Sequence, residues 1–565
     1  MNSSQSNNNV MNSGLSEYRA IPLEAEQGIG ALTLPGLLNQ ATEQYPNREA
    51  ACWTDKNDIV QRYSYQDVHD KSVEIARALI ATGISKGSRV GILISNRPEW
   101  LFCLFGASMA GAVVVAMNTF STEQELRHQL KVANIAVVLT EADVAGKDFL
   151  GAFTALAPDL TKCSIGNLMT EEFPFLRRIV CIDDIVPQPG IQPIDDFLKL
   201  GNDVPASVIT ALAESASEEE DAVIFFSSGS TALPKAIRQT QRASTLQCWR
   251  MANTFDYDCS VRTWNANGYF FSGNFAMSFA TLCRGGCLVM LPTFQPDKAL
   301  KLIAEEKVSC VLAWPHQEER LSECPAWETS DFSSVKWVSY FSTFRHHPST
   351  SMTWSGFDGY GMTETFTFVS LSSGESNLEN SQGKILPGNT IRIVDPQTGA
   401  IVPVGETGEI IIKGPTLMPG YIGIPPEKTF DEHGFLHTAD AGYISEDGYL
   451  FWKGRLSDII KTGGANVSPT EIDSVICEHP EVLSSYTVGI PHKTLGELVV
   501  SCIVRKEGSS TDADAIKQYA KKYLSGYKVP REIIFLTEDE LPVTGSNKVK
   551  RSALKAMAAE ILNNA

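Results

Sequence analysis

The chain has 565 residues, 43% of them hydrophobic and 20% charged, with a formal net charge of -19. That length exceeds what one core accommodates, so two or more domains are expected, in proportions ordinary for a globular protein. The acid excess argues against a nucleic-acid partner, which would call for a basic patch or domain.

The excess is also uneven. From Asp458 onward there are 13 Lys and Arg against 14 Asp and Glu, leaving 34 against 52 upstream. A near-neutral, lysine-bearing C-terminal unit could meet an anionic ligand, and a solvated surface explains the same count. The twelve cysteines include no C-x-x-C pair, so neither a zinc site nor a disulfide framework is expected, and a reducing cytoplasm is the simplest setting.

In chain order, "MNSSQSNNNVMNSG" lacks a basic and an apolar region, so residues 1–16 are expected to be a disordered polar tail. "SYQDVHDKSVEIARALIATGI" has the apolar spacing of an amphipathic helix, with Gly83 near its end, and "RVGILI" is a buried strand. "WLFCLFGASMAGAVVVAM" is uncharged, but Gly106, Gly111 and three consecutive valines favour a helix turning into a buried strand over a membrane span. "IAVVLT", "LRRIVCI" and "AVIFF" are further short strands between helices, which predicts layered α/β architecture.

Past Ile391 the pattern alternates, and "TIRIVDPQTGAIVPVGETGEIIIKG" predicts antiparallel strands. In "SPTEID", Ser468 can cap a helix, Pro469 suits its first position and Glu471 would complete a capping box. "DADAIKQYAKKYLSGYKVP" predicts an amphipathic helix stopped by Gly526 and Pro530. The expected division is a large unit over 17–454, a joint at 455–457 and a small α+β unit over 458–565 that moves against it.

"DAVIFFSSGSTALPK" leads a strand into a loop of hydroxyls from Ser227, Ser228, Ser230 and Thr231, followed by Lys235. Gly229 permits close backbone approach, so main-chain N–H groups could also face phosphate oxygens. The Walker spacing is absent, and a serine-rich hairpin turn explains the segment equally well.

Four segments in order carry a resemblance: "FSSGSTALPK", "GYGMTE", "FLHTADAGYISEDGYLFWKGRLSDIIKTGG" and "LPVTGSNKVKR". From about Leu32 on, the chain resembles the adenylate-forming superfamily of acyl-CoA synthetases, beetle luciferases and nonribosomal adenylation domains. The resemblance implies a large domain of α/β subdomains plus a β-rich subdomain, with a mobile C-terminal domain. It implies attack of a carboxylate on the α-phosphate of ATP, release of pyrophosphate, and acyl transfer to CoA. ATP, Mg²⁺ and CoA are the implied cofactors.

Carried over by segment, Lys548 is the implied catalytic lysine, Thr363 a phosphate contact and Glu364 the Mg²⁺ ligand. Gly359, Tyr360 and Gly361 would border the nucleotide, with Tyr360 stacked on adenine. Asp440 would take the ribose hydroxyls and Arg455 the ribose or phosphates. Lys461, Gly463 and Gly464 would serve thioester formation, after rotation about Ser457. Without the resemblance, Lys548 is a solvated lysine beside Lys550 and Arg551, Glu364 a loop acid, Asp440 with Arg455 a structural pair, and the glycines a hairpin turn.

Several residues depart from the pattern. Ala232 and Ala439 stand where glycine is usual, and Asn547 precedes Lys548. "SYFSTFRHH" replaces a glycine-rich loop, so Tyr340 and Phe341 would fill the acyl pocket together with Phe270 and Phe271. A short or aromatic acid is therefore expected rather than a long-chain fatty acid. Arg345, His346 and His347 are either contacts for a polar acid or surface residues on a shortened helix. The alternatives to an acid–CoA ligase are an enzyme loading a carrier-protein phosphopantetheine arm and an inactive binding homologue, with a luciferase-like oxygenase more remote.

Overall fold

The computed structural model describes residues 10–11, 14–55, 57–227, 234–339, 342–352, 354, 356–373, 378, 380–462, 465–524, 526–543 and 548–564, and structural statements refer to these. The predicted alternation of helix and strand builds a seven-stranded sheet among them. Its order is Ile191–Pro193, Arg178–Cys181, Val137–Thr140, Arg89–Leu93, Val113–Ala116, Asp221–Phe226 and Ala236–Thr240. The first six run parallel and the last returns antiparallel. Strands such as Val113–Ala116 and Val137–Thr140 are buried throughout, which is why they read as unbroken apolar runs.

A second sheet orders Cys310–Leu312, Arg262–Asn265, Cys287–Met290, Glu49–Thr54 and Val60–Ser64, parallel but for its last pair. Helices cover the sheets. Tyr65–Ala81 starts on a capping box between Ser64 and Asp67 and buries Val68, Ile75 and Leu79 on one face. The uncharged run from Trp100 divides as expected. A 12-residue helix, Pro98–Met109, is followed by Gly111 at φ +74° and the strand Val113–Ala116. Among the described residues, no helix is long and apolar enough to cross a membrane.

The alternating region forms an antiparallel sheet containing Thr390–Val394, Gly408–Lys413, Leu436–Ile444 and Leu450–Arg455. Its far edge includes residues that the expected polar tail over 1–16 would leave unpaired. Val10–Met11 pairs with Glu17–Arg19, which pairs with Thr390–Val394, and Ser16 is buried. The polar composition there hides a short edge pairing, whose main-chain bonds need no apolar pattern.

The C-terminal sheet centres on Gly496–Arg505, flanked by Val482–His492 and, in parallel, Glu532–Leu536. Ser468 caps the helix Pro469–Cys477 as expected, but Glu471 does not close a capping box. Its carboxylate is held by Lys528 Nζ at 2.7 and 2.8 Å. The helix Ala513–Ala520 ends six residues before Gly526 because the chain tightens into i→i+3 bonds, with Lys522 N–H on Tyr519 O and Tyr523 N–H on Ala520 O. The cysteines are all free, nine of them buried, with only Cys477 exposed. They are spread over separate cores: Cys103 and Cys248 in the largest, Cys181 beneath the seven-stranded sheet, Cys287 and Cys324 beside the five-stranded one, and Cys502 in the C-terminal unit.

Candidate active site

In sheets of parallel strands, side chains for ligands collect outside the carboxyl ends. Here both parallel sheets deliver residues to one such place. Phe225 and Phe226 end a strand of the first sheet, while Phe270, Phe271 and Trp314 follow strands of the second. All five line a chamber of about 260 Å³ that also contains Thr363 and Lys548. Four of the residues singled out in the sequence, Lys548, Thr363, Phe270 and Phe271, therefore meet here. Lys548 reaches the chamber from the C-terminal unit.

The hairpin that follows Phe226 abuts this chamber. Ser227 N–H donates to Lys235 O at 3.0 Å, and Lys235 N–H donates to Ser227 Oγ at 3.0 Å, closing the base of the loop. Ser228, Gly229, Ser230, Thr231 and Ala232 lie outside the described residues, as do Tyr340, Phe341, Gly463, Gly464 and Asn547. Lys235 Nζ sits 4.7 Å from the centre of the Tyr421 ring, and the Tyr421 hydroxyl donates to Glu364 Oε1 at 2.8 Å. Burial and the adjacent carboxylate push that hydroxyl well above its ordinary pKa, so it stays a donor. Gln239 Nε2 holds Thr363 O at 2.5 Å. Tyr421 and Gln239 were missed in the sequence because neither falls in a recognisable segment. Gln239 is carried by the edge strand beyond the loop, and Tyr421 lies beside that strand.

The turn Thr363–Thr365 ends in two consecutive left-handed residues, Phe366 at φ +45° and Thr367 at φ +84°. A β-branched residue there is uncommon and costly, and such strain collects where the backbone is over-determined by its surroundings. The strand Phe357–Met362 supplies Gly359 and Gly361. A Cβ on Gly361 would lie 1.7 Å from Thr367 O, and one on Gly359 would lie 2.6 Å from the Phe368 ring.

Tyr360 is 6% exposed in this conformation and belongs to the core cluster of Tyr18, Val369 and Ile385. Its hydroxyl donates to Asp440 Oδ2 at 2.7 Å, while Arg455 Nε lies 3.2 Å from Oδ1 and Arg455 Nη1 donates to Thr438 O at 2.8 Å. In this conformation Asp440 and Arg455 form the structural pair. Lys461 lies on the hairpin strand Ile460–Thr462, its N–H on Glu497 Oε2, and the structure does not bring it to the chamber. His347 is also not a surface residue. It is 4% exposed, with Nε2 2.9 Å from Trp327 O.

Burial raises the Asp440 pKa, against the opposing pull of Tyr360 and Arg455. The folded protein thus holds this proton to higher pH than the unfolded chain does. The associated stability is present at low pH and lost as pH rises from the unfolded value, about 4, through the raised folded value. Asp440→Asn should flatten the pH dependence of the urea midpoint across that interval. An unchanged slope would remove Asp440 as its source.

Ala439 adopts φ +57°, the left-handed conformation that a glycine takes without strain. Ala439→Gly is expected to raise the denaturation midpoint by about 1 kcal/mol of stability, and a loss of stability would count against strain at this position.

The chain belongs to the AMP-binding enzyme family. The family model matches residues 38–422, and the model for the AMP-binding enzyme C-terminal domain matches residues 471–548. It is 26% identical to the acyl-CoA ligase SID4 of Ajellomyces capsulatus, over 94% of this chain and 92% of that one. It is 27% identical to the 4-coumarate–CoA ligase CCL1 of Humulus lupulus, over 87% of this chain and 88% of that one. Its fold matches the structure of the anthranilate CoA ligase AuaEII in complex with anthranoyl-AMP, with a TM-score of 0.77 at 23% identity, covering 94% of this chain and 98% of that one.

Proposed function

We infer that the protein is an AMP-forming acid–CoA ligase, which activates a carboxylic acid with ATP and passes the acyl group to CoA. The observation that carries this is the convergence of Lys548 and Thr363 on one chamber, beside the loop closed by Ser227 and Lys235. Joining a carboxylate to a polyphosphate brings two anions together, so the site must neutralise charge as it builds in the transition state. Lys548 is assigned to the reacting carboxylate and α-phosphate oxygens, Thr363 to a phosphate oxygen, and the 227–235 loop with Lys235 to the outgoing pyrophosphate. Gly359 and Gly361 hold the backbone beside the nucleotide. Asp440 is assigned to the ribose, with Arg455 released from it when the nucleotide enters.

Glu364 fits a Mg²⁺ ion. It is a half-buried carboxylate oriented by Tyr421, and Mg²⁺ characteristically takes one or two carboxylates and completes its shell with phosphates and water. When bound, the ion supplies charge to the phosphates. The tail unit over 458–565 is assigned the second half-reaction. There Lys461 with Gly463 and Gly464 would replace Lys548 at the chamber, by movement at 455–457.

Acid-dependent exchange of pyrophosphate into ATP tests the first step, and CoA-dependent release of AMP with thioester formation tests the second. Exchange without CoA consumption would turn the second step towards a carrier-protein phosphopantetheine arm. No exchange with any acid, ATP still binding, would overturn the ligase reading.

A further inference from the structure

Behind the Lys548 chamber lies a second one. The two share Asn274, Met277 and Trp314, so they are neighbours with these three side chains between them. The back chamber has a volume of about 140 Å³. An apolar cavity of about 150 Å³ is the size that takes up a benzene molecule.

Its far wall is aromatic and fixed. Phe255, Trp337, Trp354 and Phe357 line it. Phe255 meets Trp354 at 5.3 Å and Phe357 at 5.4 Å between ring centres, and stacks on Tyr257 at 5.0 Å. Tyr257 in turn meets the edge of Trp337 at 5.0 Å and donates its hydroxyl to Cys310 Sγ at 3.0 Å. Among the described residues, rings interlocked in this way block an alkyl chain on that side, because each could move only with its neighbours.

Among the described residues, the lining contains no Lys, Arg, His, Asp or Glu, and its polar side chains are Asn267, Asn274 and Ser339. A second carboxylate or an ammonium group on the substrate would be buried there without a countercharge, which is strongly unfavourable. The nearby cation, Arg345, is turned to the wall's own backbone. Its Nε donates to Ser339 O and its Nη1 to Trp354 O, both at 3.0 Å. Arg345 is thus a positioning residue that ties two sides of the chamber together.

We propose that the acid is a single-ring aryl monocarboxylic acid, its ring in the back chamber and its carboxylate at Lys548, with Trp337 and Trp354 setting the length limit. The proposal rests on the ligase reading and narrows its substrate. It excludes fatty acids, whose chains outrun the wall, and acids that would carry a second charge into the back chamber, where it finds no partner.

The test compares benzoate, octanoate, palmitate and terephthalate, whose para carboxylate would enter the back chamber, by pyrophosphate exchange, and benzoate with octanoate by thermal shift of the full-length protein. Benzoate should exceed each other acid in kcat/KM by at least about tenfold. Trp354→Ala should lower the benzoate-to-octanoate ratio by about tenfold or more, and Met277→Trp, which enlarges a side chain lining both chambers, should depress benzoate. Faster exchange with octanoate, palmitate or terephthalate would overturn the proposal and leave the ligase reading standing. Silence with all four acids would count against the ligase reading instead. The thermal shift would then decide the chamber's occupant. A larger shift with benzoate supports the aryl assignment, and an equal or larger shift with octanoate overturns it.

Discussion

Lys548→Ala is expected to lower acid-dependent pyrophosphate exchange by at least about two orders of magnitude while ATP binding changes little. The reason lies in when the charge is needed. In the proposed site, ground-state ATP would already be met by the 227–235 loop with Lys235 and by the residues around Glu364, so most of its binding would not depend on Lys548. The extra charge develops as the carboxylate closes on phosphorus, in the chamber that Lys548 lines. An interaction made mainly in the transition state appears in kcat rather than in the binding of the ground state. Lys548→Arg keeps the charge but spreads it over a planar fork, and should recover only part of the rate. Exchange at the wild-type rate in Lys548→Ala would sink the assignment, and loss of ATP binding in parallel would move Lys548 to a ground-state role.

Gly361→Ala is expected to be nearly as damaging, by a different route. The added Cβ would lie 1.7 Å from the carbonyl oxygen of Thr367, well inside contact distance. Neither partner can yield easily. Gly361 follows an irregularity in the pairing of Phe357–Met362 with Thr367–Ser373, and Thr367 is already held at φ +84°. Relief would have to displace the turn that carries Thr363 and Glu364. A cost of about 3 kcal/mol or more is expected, at the upper end for overpacking, with exchange lost even where the protein still folds. The urea midpoint and exchange rate together check this. A variant matching the wild type in both would mean that the strand pair is far softer than its packing indicates.

The large-scale architecture was legible because buried parallel strands leave unbroken apolar runs, as in "VVVA" and "VVLT", and because Ser468 marks a helix start through a local bond. The meeting of Lys548 with Thr363, Phe270 and Phe271 was legible only through family resemblance, since no local pattern links residues so far apart in the chain. The partners of those residues were not legible. Tyr421 earns its place by lying beside the edge strand Ala236–Thr240, and Glu471 turns away from its own helix because Lys528 stands nearer its carboxylate. Tyr360 shows the same limit from the other side. A segment match places an aromatic ring near a nucleotide, but whether its face or only its hydroxyl is presented depends on Tyr18 and Val369, which arrive from distant segments. The back chamber is assembled from Phe255, Trp314, Trp337 and Trp354, whose spacing in the chain carries no common period.

The buried thiols give the molecule a built-in set of clocks. Four of the separate cores enclose at least one cysteine, and burial pushes several of these thiols far from ionisation, Cys52 and Cys502 to about 12. A thiol that is both hidden and protonated reacts with an alkylating reagent only after its surroundings open. Brief alkylation during denaturation, followed by peptide mapping, would therefore record the order in which the cores come apart. Cys502 would time the C-terminal unit, Cys181 the seven-stranded sheet and Cys287 the five-stranded one. The sequence of labels would show whether the unit carrying Lys548 detaches before the sheets on which its chamber is built.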